Sequence, residues 1–135
     1  MAELAVEVGA GLRLKNPVIA ASGTFGYGVE YEGVTDPAAF GAVVVKGISA
    51  KPAKGHPAPR LVETPAGMLN AIGLQNIGVE AFVRDKLPRL QEMGATVVVN
   101  CWGTAVEDYG EIAGVVDGVP GIAAIEINIS SPNKR

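Results

Sequence analysis

The sequence predicts an α/β fold built on parallel strands, and three observations carry that prediction. Four short apolar runs, at 18–22, 42–46, 96–100 and 123–128, are continuous rather than alternating, as strands covered on both faces are. Segments with helical spacing lie between them, in the strand–helix–strand order of right-handed βαβ units. The composition agrees: 48% of the residues are hydrophobic but only 5% aromatic, with Gly 18 and Pro 9, which leaves a core of Val, Ile, Leu and Ala joined by many tight turns.

Taken in order, residues 4–14 alternate around Gly9 and Gly11 like a β-hairpin placed ahead of the repeating units. After the first run a short helix is expected over 35–40, with Thr35 or Asp36 as N-cap and Pro37 in its first turn. The stretch 49–73 is too long for an ordinary connection and reads as a functional loop with β-structure of its own. Over 78–93, Val79, Phe82, Val83, Leu87, Leu90 and Met93 lie near helical spacing, Gly94 supplies the stop, and Pro88 marks a bend or break. A further helix over 105–116 has Val106, Tyr109, Ile112, Ala113 and Val116 on one face, and Gly118 and Pro120 close it.

A chain of 135 residues has the length of one domain. Four parallel strands make either a small open sheet or half of an eight-stranded barrel. A complete barrel takes about 250 residues, and Arg135 follows the fourth run almost at once, leaving the edge of Ile125, Ile127 and Ile129 uncovered. The expectation is a single partial domain over 1–135, a fragment or an engineered half.

Charge and composition exclude several function classes. Lys plus Arg number 11 against 14 Asp plus Glu, a net charge of -3, which offers no electrostatic footprint for nucleic acid or an anionic membrane. One cysteine, Cys101, and one histidine, His56, allow neither an internal disulfide nor a Cys/His zinc cluster, so no metal is expected and a reducing compartment fits. Glu3 and Glu7 interrupt the start where a signal peptide needs basic and then apolar residues, and no run reaches the roughly 18 apolar residues of a spanning helix. A cytoplasmic setting is expected.

In parallel α/β folds the ligand sits at the C-terminal ends of the strands, and each of the four runs ends in a polar residue: Ser22, Lys46, Asn100 and Asn128. These suit a planar polar ligand, since amides both donate and accept and a lysine stabilises negative charge developing on a ring or carboxylate. Directly after the fourth run, 128–133 (NISSPN) adds further amides and hydroxyls, which alone would read as a turn. In 64–76, glycines let backbone approach a ligand and Asn70 offers an amide, though a plain loop would tolerate the same residues.

Together these segments resemble dihydroorotate dehydrogenase of class 1B. The resemblance runs the length of the chain, through KNPVIAASGTFGYG at 15–28, VKGI at 45–48, PAPRLVETPAGMLNAIGLQN at 57–76, Asn100, and NISSPN at 128–133. It implies the N-terminal half, about four strands plus an N-terminal β-hairpin, of a (β/α)8 TIM barrel that binds FMN. Its flavin phosphate site would come from loops after the last strands, beyond Arg135. The implied activity is oxidation of dihydroorotate to orotate, in pyrimidine biosynthesis, by hydride transfer to FMN. Carried over by residue, Ser22, Lys46, Gly47, Asn100 and Asn128 would contact FMN. Lys46, Asn70, Ala71, Ile72, Gly73, Leu74, Asn128 and Asn133 would surround the substrate ring. The resemblance also implies an iron–sulfur flavoprotein partner carrying FAD and an iron–sulfur cluster, NAD as acceptor, and a homodimer at the core of a heterotetramer.

One position departs from that class. Class 1 enzymes carry a cysteine base between the serine and the proline of the last motif, and Ser131 stands there, as in the membrane-associated class 2 enzymes. A hydroxyl is a far poorer base than a thiol of pKa about 8.5. Cys101, beside Trp102 after the third run, reads as a small buried hydrophobe instead. His56, Lys51, Lys54 and Arg60 read as solvated loop residues, and Glu107, Asp108 and Glu111 as acids suited to a helix N-terminus. Glu126, pointing opposite to Ile125 and Ile127, is in a completed barrel a candidate buried ion-pair partner for Lys46. A second reading, from the uncovered edge, is a non-catalytic half-barrel unit that pairs with itself or with a complementary half.

Overall fold

The computed structural model describes residues 3–131. Strands β1 (Val6–Gly9) and β2 (Leu12–Leu14) form the expected antiparallel hairpin. Its turn is left-handed at Gly9, Ala10 and Gly11, which two glycines make inexpensive. There follow β3 (Ile19–Ala20), single 3-10 turns at Val29–Tyr31 and Pro37–Ala39, and β4 (Ala42–Val44). Then come β5 (Leu61–Thr64), β6 (Gly67–Asn70), α1 (Val79–Asp85), α2 (Leu87–Glu92), β7 (Val97–Cys101), α3 (Val106–Val116) and β8 (Ile122–Ile127).

Strands β3, β4, β7 and β8 make one sheet in that order, and every neighbouring pair is parallel. The register sets Val43 beside Val97 and Asn100 beside Glu126. Because side chains alternate along a strand, Val43, Val45, Val97 and Val99 share one face. There they pack with Phe82 and Leu90 of the α1–α2 pair and Ile112 and Val116 of α3, all buried. Val44, Lys46, Val98 and Asn100 take the opposite face. Polar residues at the strand ends therefore emerge on the side away from the helices.

Two expectations need correction, and a third is met. Coverage on both faces holds for β4 and β7, the inner strands, but β3 is only two residues long and partly exposed, and β8 is exposed at Ile125 and Ile127. The break expected at Pro88 is present: the segment 78–93 divides at Lys86 into α1 and α2, since Pro88 has no N–H to give the Arg84 carbonyl and its ring crowds that turn. The helix over 35–40 shrinks to one 3-10 turn, capped by Asp36 rather than Thr35, whose carboxylate accepts from the Ala38 N–H at 2.9 Å.

The long loop carries its own β-structure, as expected: β5 and β6 form an antiparallel hairpin, every residue of which is exposed. Its base is closed by Ala71 N–H to the Arg60 carbonyl at 2.8 Å and His56 N–H to the Ile72 carbonyl at 3.0 Å. Ala53 and Asn76 bridge where the loop begins and ends.

Candidate active site

A cavity of about 640 Å³ opens at the C-terminal ends of β3, β4, β7 and β8, within the size range of small-molecule sites. Ser22, Lys46, Gly47, Asn100, Asn128 and Ser131 all line it, together with Leu74 and Glu126. A smaller neighbour of about 270 Å³ shares Leu74, Asn128 and Ser131 and adds Trp102 and Tyr109.

Each of these polar residues is fixed at or just beyond a strand end by hydrogen bonds of its backbone or side chain. The Ser22 hydroxyl donates to the Val45 carbonyl across β3 and β4 at 2.9 Å, which leaves its oxygen lone pairs for a ligand donor. Lys46 is half-buried, its backbone N–H bonded to the Gly26 carbonyl at 2.8 Å. Burial, and after it the positive charge of Arg60, pull its ammonium below the usual lysine range. Among the described residues no carboxylate forms an ion pair with it. The ammonium is thus a donor and a charge available to a ligand.

Asn128 is pinned at three points. Its backbone N–H donates to the Cys101 carbonyl at 2.8 Å, its carbonyl accepts from the Tyr109 hydroxyl at 2.8 Å, and its side-chain nitrogen donates to Asn100 Oδ1 at 3.3 Å. Asn100 is buried, and its own Nδ2 donates to Glu126 Oε1 at 2.5 Å. In this chain Glu126 thus pairs with an amide on the neighbouring strand, directly across the register, and not with Lys46, the partner expected of it in a completed barrel. Gly47 lies beneath that amide: a Cβ there would come within 2.8 Å of Asn100 Oδ1 and 3.4 Å of Trp102 Cδ1. The absence of a side chain at Gly47 leaves room for the Asn100 amide and the Trp102 ring.

Of the residues expected around a substrate ring, Lys46, Leu74 and Asn128 line the cavity, whereas Asn70, Ala71, Ile72 and Gly73 do not. Asn70 ends β6 and is exposed, and the carbonyls of Ala71 and Ile72 are tied back to the His56 ring and backbone at 2.9 and 3.0 Å. Asn133 lies outside the described residues. His56 and Arg60 prove structural rather than merely solvated: Arg60 donates to the Lys54 and His56 carbonyls at 3.1 Å each and to the Gln75 side chain.

Cys101 is buried with its thiol pushed up by burial, as expected of a small hydrophobe. Asp108 caps α3, accepting from the Thr104 and Ala105 N–H groups at 2.7 and 3.1 Å, and these bonds hold its carboxyl below the usual range. Tyr109 and Trp102 were not among the predicted site residues. Tyr109 sits on the apolar face of α3, and its hydroxyl at that position was the one available signal.

A parallel sheet whose strand ends gather two amides, a hydroxyl and a half-buried lysine around one cavity has the layout of the C-terminal strand ends of a (β/α)8 barrel. The comparisons with known proteins agree. The dihydroorotate dehydrogenase family model matches residues 3–135, and the chain belongs to that family. Similar curated relatives are catalytic subunits of dihydroorotate dehydrogenase B (NAD(+)). The one from Desulforudis audaxviator is 58% identical over 126 residues, 93% of this chain and 41% of the relative. Those from Geobacter sp. (strain M21) and Geotalea uraniireducens are 54% identical over 126 residues and 53% identical over 133 residues. A crystal structure of DHODH from Eimeria tenella, in complex with ferulenol, superposes with a TM-score of 0.67 at 26% identity, covering 97% of this chain and 38% of that one. The expected α/β fold, part of a TIM barrel, is borne out. The chain spans about 41 to 43% of the length of the curated relatives it matches.

Proposed function

We propose that this chain carries one side of the active site of a dihydroorotate dehydrogenase that oxidises dihydroorotate to orotate with FMN. The observation that carries the reading is the meeting of Ser22, Lys46, Gly47, Asn100, Asn128 and Ser131 at one strand-end cavity in a member of this family. The residues fit a flavin ring. Gly47 leaves space where a Cβ would collide with Asn100, and amide and ammonium groups line the same cavity, where carbonyl oxygens and ring nitrogens would need partners.

When bound, FMN supplies the hydride acceptor. The chain's own groups do the rest. Ser22 would offer an acceptor to the flavin, while Lys46 and Asn128 would offer donors and hold the reacting groups in register. Lys46 also stabilises negative charge that develops as the substrate loses its proton. Ser131, in the base position, takes that proton from the ring carbon, a task for which a hydroxyl needs activation that a thiol does not. Leu74 supplies an apolar wall, and the resemblance assigns the rest of the substrate shell to Asn70, Ala71, Ile72, Gly73 and Asn133, the first four of which do not line the cavity.

The relatives' name, catalytic subunit, supports a partner subunit. We assign to it FAD and an iron–sulfur cluster passing electrons to NAD, around a homodimeric core of a heterotetramer in the cytoplasm. No helix among the described residues is long and apolar enough to cross a membrane. The exposed Ile125, Ile127 and Ile129 favour one competing reading, a colourless self-pairing unit. Expression of the chain extended to its relatives' length decides: yellow protein that forms orotate from dihydroorotate is expected, and colourless protein without orotate formation overturns the reading.

A further inference from the structure

We propose that Glu126 is a positioning residue that sets the donor–acceptor sense of the Asn100–Asn128 amide pair at the strand-end cavity. An amide side chain can be turned over in place, exchanging its donor for its acceptor with almost no change of shape. Something must choose between the two orientations. Asn100 and Glu126 are register partners on β7 and β8, and the Asn100 Nδ2 donates to Glu126 Oε1 at 2.5 Å. An ionised carboxylate only accepts, so this contact selects the orientation with the nitrogen toward Glu126.

The choice propagates. With its nitrogen committed, Asn100 turns Oδ1 toward Asn128, whose Nδ2 donates to it at 3.3 Å. Asn128 Oδ1 is then the group that accepts from the Ser130 N–H at 3.2 Å. Hydrogen bonds run in one direction, from Ser130 through Asn128 and Asn100 to Glu126, and the carboxylate at the end fixes all of them. Turning Asn100 over would set its oxygen against the carboxylate and its nitrogen against that of Asn128. Each amide nitrogen keeps a second N–H, so beside the Lys46 ammonium the cavity floor presents donors. The ligand class this selects is a planar heterocycle with an acceptor-rich edge, carbonyl oxygens and unprotonated ring nitrogens. Glu126 thereby acts through Asn100 and Asn128 and need not touch the ligand.

The inference rests on the cavity being the flavin and substrate site, and two measurements separate its failure from failure of that reading. The first is the side-chain NH2 resonances of ¹⁵N-labelled protein, extended to its relatives' length and free of ligand, with Glu126→Leu and the isosteric Glu126→Gln. In Glu126→Leu the Asn100 pair should move toward the free-amide position and the Asn128 pair should move with it, although nothing at Asn128 has changed. The second is FMN affinity by fluorescence titration, expected to fall in Glu126→Leu in proportion to the fraction of molecules whose amide pair has turned over, since only the other orientation binds. The loss should be smaller in Glu126→Gln, which can still accept but can also turn over. Unmoved Asn128 resonances overturn the proposal, and so does unchanged FMN affinity with the resonances moved. Should the parent protein bind no FMN, the functional reading fails, and the Asn128 resonances alone decide the role of Glu126.

Discussion

The side chain of Asn76 donates to the backbone carbonyl of Leu74 at 2.9 Å, and Leu74 is held with a left-handed backbone, φ 57°. That conformation costs a non-glycine residue about 1–2 kcal/mol. The oxygen of the same buried amide accepts the N–H of Gly78 at 2.8 Å, at the start of α1, and that of Ser49 at 3.2 Å, after β4. One side chain thus joins the cavity wall, the loop beyond β4 and the helix layer. Asn76→Ala leaves two backbone donors and one acceptor short of partners and should lower stability by about 2–4 kcal/mol in urea unfolding. Asn76→Asp should cost nearly as much, because it sets a carboxylate oxygen against the Leu74 carbonyl. A loss under about 1 kcal/mol in both would show that the loops are held elsewhere.

Gly47 is constrained by space and not by its backbone. The Cβ of Gly47→Ala would stand 2.8 Å from Asn100 Oδ1, so either the amide shifts or the strand does, at about 1–3 kcal/mol. Gly67→Ala in β6, where nothing lies within 4 Å, is the matched control. Thermal melting should separate the two variants by several degrees, and equal melting temperatures would remove Gly47 from the cavity floor.

Lys46 lies where burial lowers its pKa, so the unfolded chain binds more protons over the window between the depressed folded value and the ordinary value of about 10.4. Stability rises with pH through that window, and below it the folded state carries a constant penalty. Lys46→Met should therefore melt about 1–3 °C higher at pH 7, with the difference from the parent shrinking as pH approaches 10, while binding of orotate is lost. A variant less stable than the parent at pH 7 would mean that Lys46 holds the fold instead of the ligand.

Ser131 tests the proposed proton transfer. In the flavin-loaded chain extended to its relatives' length, Ser131→Cys should speed flavin bleaching by dihydroorotate near neutral pH, since a thiol of pKa about 8.5 reaches its reactive form far more readily than a hydroxyl. Orotate affinity should hardly change. Anaerobic stopped flow from pH 6 to 10 makes the measurement, and an identical pH profile for both proteins would take Ser131 out of the base position.

Much of this was legible in the sequence because the signals were local. The runs ending in Lys46 and Asn100 announced buried parallel strands with polar ends, and Pro88 announced the break at Lys86. What escaped were relations that depend on register and on packing between elements. The partner of Glu126 is set by the register of β7 with β8 beyond the irregularity at Val97–Val98, which places Asn100 and not Lys46 beside it. Tyr109 read as core because its face of α3 is apolar, yet its hydroxyl reaches Asn128. His56 looked solvated because a Pro-rich loop gives no periodicity from which to read the contact with Ala71. The exposure of β3 and β8 was hidden for a related reason, since an apolar run looks the same at the centre of a sheet and at its margin.

The β5–β6 hairpin stands on a neck closed by Arg60 and His56, and none of its eight strand residues is buried. Its length is therefore uncoupled from the pairing of the parallel strands. Descendant sequences can lengthen, trim or recolour its tip without repacking the interior, because insertion into an exposed turn costs only slowly growing loop entropy. The turn between Thr64 and Gly67 is accordingly a natural graft point for a probe or a foreign loop, close to the cavity along the chain yet mechanically insulated from it.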